Sequence, residues 1–381
     1  MDTSVAAFAA YFSDLEDPRE SRGQLHLFFD ILMIAICAVI CGADSWVAVE
    51  TFGKAKKEWF QTILKLPNGI PSHDTYRRLF MLLDKDVFSV CFTNWIQGIE
   101  QITSGQVIAI DGKTACASHG ESKFTRAMHM VSAWAVTNGL VLGQVAVPEK
   151  TNEILAIPEL LYLLNLTDCL VTIDALGCQK EIAEQIVDQG GDYLLMAKGN
   201  QPYLHEDIAH LFDNGLATNF KSLDYGYACQ ESHGHGRHEK RSCWTLSDKG
   251  WLTYLRGIRE WPRLMTIAMV KSERKVGEEL QTCTRYYISS LDKDLKSDAT
   301  RILRASRSHW QIENKLHWVL DVSFNEDTNR VRKGNGQANL TVLRHIALNL
   351  LRKEKSFKAG IKTKRQRAGW DQDYLLKVLK G

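Results

Sequence analysis

No two cysteines in this 381-residue chain form a C-x-x-C pair. The nine cysteines are an odd number scattered through apolar runs, and Cys37 and Cys41, four apart in one of them, have the spacing of packing residues. That excludes a zinc ribbon and a disulfide framework, and predicts reduced thiols in a cytoplasmic protein. Long hydrophobic runs are missing as well. The most apolar stretch, Ile31 to Ala43, follows Asp30 and falls short of the roughly 20 residues a bilayer requires, so it reads as a core helix and no membrane partner is expected. The first residues are neither basic nor followed at once by an apolar segment, unlike a secretory signal. Internal repeats and low-complexity segments are absent, which excludes a solenoid. A large net charge is lacking too, but the total of +2 averages an uneven distribution. Residues 351–381 hold ten Lys or Arg against three Asp or Glu, leaving the rest of the chain mildly acidic.

Residues 1 to about 100 read as helical. The spacing predicts a short helix over Val5 to Phe12, then an almost wholly apolar helix from Gln24 to Cys41 at the centre of a bundle. Ser45 is placed to cap an amphipathic helix from Trp46 to Leu64. Pro67-Asn-Gly-Ile-Pro71 is a turn cluster, after which Ser72 and Asp84 cap helices over Tyr76 to Leu83 and on to Ile99. A helix, tight turn and helix carrying Arg77-Arg78 fits either a module that grips DNA ends or a bundle with a solvated basic face.

Beyond Gln106 the pattern turns to strands. Val107 to Ile110 is the first, and Arg126 to Val136 and Leu140 to Val147 flank the hairpin signal Asn138-Gly139. Helix Thr151 to Asn165, strand Cys169 to Ile173, helix Gln179 to Gln189, strand Tyr193 to Ala197 and helix Pro202 to Phe212 follow. A hairpin sheet continued by alternating helix and strand predicts an RNase H-like mixed sheet, in which the first and fourth strands are neighbours. Residues from about 220 to 290 form a β-rich insertion, with strands over Arg241 to Leu246, Leu264 to Val270 and Thr282 to Ser289, before helical spacing resumes from Asp298 to Val319. The expected organisation is an α/β chain: a small all-helical domain over 1–100, a catalytic domain with its insertion over 101–350, and a basic tail over 351–381.

Asp111 follows the first strand, in Asp111-Gly-Lys113, and taken alone such a pair is a hairpin turn. Asp174 repeats the arrangement after the fourth strand, and ligands gather at the carboxyl ends of strands in open α/β sheets. In Arg307-Ser-His-Trp-Gln-Ile-Glu313-Asn-Lys-Leu-His-Trp318 an apolar stripe through Ile312, Leu316 and Val319 puts Glu313 at its edge, between Trp310 and His317. An unpaired carboxylate there calls for a metal, a cation or a proton. Asp111, Asp174 and Glu313 are therefore the candidate catalytic and metal-binding residues.

These segments, with Thr172-Ile-Asp174-Ala-Leu-Gly-Cys-Gln179, resemble the three catalytic segments of the ISAs-type insertion-sequence transposases, a group that includes the H-repeat-associated proteins within the DDE superfamily. The resemblance extends to Gly69-Ile-Pro-Ser-His-Asp-Thr75, Ala156-Ile-Pro-Glu-Leu160, Lys198-Gly-Asn-Gln201, Gly234-His-Gly-Arg237 and Leu320-Asp-Val322 with Glu326-Asp327. It implies a DNA transposase, with Asp111, Asp174 and Glu313 as the metal-binding triad. Phosphodiester chemistry of this kind uses two Mg²⁺ ions, for which Mn²⁺ substitutes, held by oxygen ligands. The expected partners are double-stranded DNA, both the terminal inverted repeats and the target, with the protein a dimer on DNA and associated with the nucleoid. Lys113, Arg237, Arg307, His309, Lys315, Arg330, Arg332 and Lys333 are the candidate DNA contacts. His233-Gly-His235-Gly-Arg237-His238 reads as a DNA-contacting loop rather than a zinc site, given its glycines and want of a cysteine. Two other readings stay open: a nuclease that cuts without joining, and a DNA-binding protein with an impaired catalytic site.

Overall fold

The computed structural model describes residues 8–100, 105–114, 128–147, 153–221, 223–234, 236–292 and 295–380. The expected helix start before Phe8, strand start at Arg126, helix start at Thr151, and His235 lie outside them.

Helix α1 (Phe28–Ile40) is buried on every side from Asp30 onward, as its uninterrupted apolar sequence requires. Its one acid, Asp30, accepts a 2.9 Å hydrogen bond from the Leu66 amide and so fixes a distant turn. Helix α2 (Trp46–Ala55) opens with the Ser45 hydroxyl accepting from the Ala48 amide, and it ends sooner than the sequence pattern indicates: the chain breaks at Lys56 before a further helical turn over Lys57–Phe60. α3 (His73–Leu82) starts after Ser72, but the Ser72 hydroxyl faces Thr75 while Glu50 of α2 accepts from the His73 amide at 2.7 Å. Asp84 does cap α4 (Lys85–Ile99), accepting from the amides of Asp86 and Val87.

The sheet has nine strands in the order β3-β2-β1-β4-β5-β9-β8-β7-β6. Strands β1 (Val107–Thr114), β2 (His129–Ala135) and β3 (Leu140–Val147) form an antiparallel meander, closed by a loop over residues 136–139 with Gly139 at φ 69°. That loop is two residues longer than the Asn-Gly signal denotes. After helix α5 (Glu153–Tyr162), β4 (Leu170–Ile173) lies parallel to β1, and after α6 (Lys180–Asp188), β5 (Asp192–Ala197) lies parallel to β4. This is the mixed topology expected from the sequence.

Helix α7 (Pro202–Ala217) leads into β6 (Tyr225–Gly234), β7 (Arg237–Leu246), β8 (Thr266–Val276) and β9 (Glu279–Ser289). β9 pairs antiparallel with β5, so the inserted strands extend the same sheet. Helix α8 (Leu295–His309) crosses their inner face; a π-helical segment (Ile312–His317) and α9 (Trp318–Phe324) continue it.

Helices α10 (Gly336–Lys353), α11 (Ile361–Trp370) and α12 (Gln372–Lys380) return to the amino-terminal region, and one apolar cluster joins Phe8 to Val378. Residues 351–381, expected as a basic tail, are thus mostly part of the helical core. The Arg365 guanidinium is almost fully buried: it donates to the Val39 carbonyl at 2.9 Å and to that of Ser323, pairs with Asp44 at 3.1 Å, and lies over the Phe324 ring. The charge pattern was right, but a basic residue with enough carbonyl and carboxylate partners can be carried inside. Arg365→Ala orphans those acceptors and is expected to cost about 3 kcal/mol, read as a lowered urea midpoint at unchanged slope.

Candidate functional site

Ile110 and Ile173 are paired across the parallel β1–β4 ladder, so the next residue on each strand is an aspartate. Adjacent strands are about 4.8 Å apart, which makes Asp111 and Asp174 close neighbours at the carboxyl edge of the sheet. Asp174 leaves the ladder to cap a 3-10 turn over Ala175–Gly177, accepting from the Leu176 amide at 3.0 Å. Asn200 donates to the Ala175 carbonyl and Gln201 to that of Cys178 at 2.9 Å, so Lys198-Gly-Asn-Gln201 holds the loop behind Asp174.

Burial is the main reason the Asp111 carboxyl is pushed up to about 7; Asp174 adds to it, the Gly112 amide opposes it, and Glu153 and Glu313 add further. Glu313 itself is raised by desolvation, with Arg285 pulling the other way. It projects from the π-helical segment, on its exposed side. Such a segment places an extra residue in the turn and re-aims side chains, and it recurs at functional sites. Among the described residues the three carboxylates do not gather within a single 4.8 Å cluster. What joins them is the field at Asp111 and the contact between β1 and the π-helical segment.

His317, one turn on, brings Nδ1 to 3.6 Å from Asp111, and burial pushes its ring down to about 4, so it is neutral at physiological pH. His309 is also neutral, pushed to about 4 by burial, and its Nδ1 lies 3.1 Å from the Thr172 hydroxyl on β4. It therefore braces α8 against the sheet, a different position from the DNA contact expected of it.

Lys113 is likewise turned inward. Its ammonium pairs with Asp321, with Glu326 at 2.9 Å and with Asp327 at 3.6 Å, and Glu326 also pairs with buried Arg344 at 3.2 Å. Burial opposes the charge on Lys113, but Glu326 and Asp321 outweigh it and raise its pKa. With so many carboxylates around it, Lys113 has little charge to offer a phosphate. The sequence motifs at residues 320–322 and 326–327 supply those partners, a role that spacing alone does not reveal.

Arg237, Arg307 and Lys315 do meet. They line a cleft of about 1070 Å³ between β7–β9 and the end of α8, immediately beside Glu313. Arg241, Arg274, Arg285 and Arg304 line it too, against the acids Glu239 and Glu273. Glu239 is shared by Arg241 at 2.9 Å and Arg237 at 3.5 Å, which leaves the cleft strongly basic. The four additional arginines were missed in the sequence, although Arg237-x-Glu239-x-Arg241 carries the alternation that puts residues on one face of a strand. Arg330, Arg332 and Lys333 form a separate groove with His73 and Arg77 of α3, so the second candidate set faces the helical region.

A Transposase DDE domain model matches residues 102–350 of the chain, and a DDE_Tnp_1-associated model matches residues 9–96. The chain is 41% identical to the protein named Putative transposase YncI of Escherichia coli O157:H7, over 99% of this chain and 95% of that one. It is 38% identical to the H repeat-associated putative transposase YhhI of Escherichia coli strain K12, over 97% of each. Of solved structures, a piggyBac transposase synaptic complex with hairpin DNA superposes with a TM-score of 0.42 at 10% identity, covering 100% of this chain and 80% of that one, a likeness too loose to argue from.

The position of Asp111 has a consequence for stability. Below about pH 4 its carboxyl is protonated in both folded and unfolded chains and costs nothing; from there up to about 7 the unfolded chain has released the proton that the folded site still holds, and stability is progressively lost. Asp111→Asn removes that cost. In chelator, the variant is expected to gain roughly 1–3 kcal/mol over the parent at alkaline pH, a gain that shrinks as pH falls from about 7 and vanishes below about 4, read by urea denaturation.

Proposed function

The chain belongs to the DDE transposase family, in its H-repeat-associated group, and from that premise we propose that it cuts DNA at insertion-sequence ends and joins the freed 3′-hydroxyl to a target. The observation that carries the reading is the pair Asp111 and Asp174 on neighbouring parallel strands, with the charge of Glu313 felt at the first of them.

Enzymes of this family use divalent metal ions. The donor set here fits a hard cation: three carboxylates on separate elements, one of them hard to ionise because it is buried beside other carboxylates. We assign Mg²⁺, two ions per site, with Mn²⁺ able to replace it; when bound, the ions neutralise the attacking and leaving oxygens of an in-line displacement. Asp111 is the residue proposed to serve both ions, with Asp174 and Glu313 serving one each. Neutral His317 leaves Asp111 without a competing cation. The basic cleft beside Glu313 supplies the grip on the phosphate backbone, through Arg237, Arg307 and Lys315 with their neighbours, and the groove of Arg77, Arg330, Arg332 and Lys333 is a second track for DNA. Synapsis of two ends calls for a homodimer on DNA.

Two experiments test this. Asp111→Asn or Asp174→Asn is expected to abolish metal-dependent nicking of a duplex carrying the element end while leaving salt-sensitive binding intact; persistent nicking by either variant refutes the assignment. Strand-transfer products from pre-cleaved ends separate a transposase from a nuclease that only cuts. For the cleft, Arg307→Ala combined with Lys315→Ala is expected to weaken binding to all sequences alike and to lower the slope of log K against log salt by about two.

A further inference from the structure

The histidine-rich segment has a different structure from the loop expected of it. His233 and His238 are a directly opposed pair on the β6–β7 hairpin, one step before the strands close at Gly234 and Arg237. Their rings stack with centroids 4.2 Å apart and planes 17° from parallel. Glu231, two residues before His233, projects on the same side of the strand. The three side chains each bring a ligand atom within 4.8 Å of the other two, alone among groups of three or more His, Cys, Asp or Glu in the described residues.

We infer that Glu231, His233 and His238 bind a divalent transition-metal ion of the zinc class, at a site separate from the carboxylates at the sheet edge. Two imidazoles and one carboxylate are a borderline-soft donor set suited to Zn²⁺, which takes three protein ligands and leaves a fourth position for water. The spacing favours a metal over a hydrogen bond. Nε2 of His238 lies 3.5 Å from Oε2 of Glu231, too far for a hydrogen bond, and has no hydrogen-bond partner although no solvent reaches it. With metal bonds of about 2.0–2.1 Å, two ligands of a tetrahedral ion stand roughly 3.3–3.4 Å apart, close to what the pair already shows. The other carboxylate oxygen of Glu231 faces the Lys240 ammonium at 3.6 Å, an outer partner that orients a ligating carboxylate.

The site has a mechanical meaning. Successive residues of a strand face opposite sides, so the strand that carries His238 on one face carries Arg237 and Glu239 on the other, in the basic cleft. A metal joining β6 to β7 near their tip holds those cleft residues in place.

The test uses the full-length chain, stripped with chelator, freed of it and titrated with Zn²⁺ alone by calorimetry, with Co²⁺ absorption as a report of histidine ligation. Because the carboxylates at the sheet edge also attract divalent ions, the titration is repeated in an Asp111→Asn/Asp174→Asn chain. One Zn²⁺ per chain retained in that background, with affinity lowered at least about 100-fold by His233→Ala and by His238→Ala, is the expected result. All three substituted positions near the hairpin tip are partly or fully exposed, and Glu231→Gln, expected to weaken binding about tenfold, keeps the shape of the site. Zn²⁺ affinity unchanged by both histidine substitutions, or loss of all binding in the Asp111→Asn/Asp174→Asn chain, overturns the inference.

Discussion

A single, mostly covered ammonium sets the geometry on which the rest depends. Lys113 lies near the end of the strand that carries Asp111, and its charge is shared among Asp321, Glu326 and Asp327, which follow the segment that carries Glu313. Two acidic positions more than 200 residues apart are thereby tied through one side chain. Burial alone would drive Glu326 toward its neutral form, yet Arg344 and Lys113 hold its carboxyl down near 2. The network has little slack: removing the lysine leaves three carboxylates facing one another, with Glu326 among them buried. Asp-Gly-Lys is therefore one device, with an acid at the sheet edge and a base that docks the segment bearing the distant acid.

The glycine between them is equally constrained. A β-carbon at Gly112 would collide with His129 and come within 2.5 Å of a Glu153 oxygen, because that buried pair lies directly over the strand. His129 and Glu153 approach to 3.2 Å, and the charge of Glu153 is one of those lifting the Asp111 carboxyl. The strand edge thus concentrates negative charge on one side, while the cleft beyond Glu313 concentrates positive charge. The two regions therefore carry opposite electrostatic character.

Much of this was legible in the sequence because it rests on periodicity. The β-branched runs ending in Asp111 and Asp174 identified two strands, and their order around a hairpin made them neighbours. Glu313 was found from an apolar stripe at helical spacing, but the π-helical form of the segment could not be read, since one extra residue per turn leaves no mark in composition. Single basic residues were the least legible. A lysine or arginine looks the same in sequence whether it meets solvent, phosphate or a buried acid, so Lys113 and Arg365 read as free charge and are internal. β6 escaped notice for the opposite reason: as an edge strand with mostly exposed side chains it lacks the alternation of apolar residues by which a strand is recognised.

The burial of α1 bears on how the protein can be made. It is covered on one flank by helices translated soon after it and on the other by α10 and α11, from the far end of the chain. During synthesis at roughly 5–20 residues per second, its second flank stays bare until α10 and α11 have left the ribosome. A chain that lacks α10 and α11 therefore exposes an apolar helix, which favours aggregation.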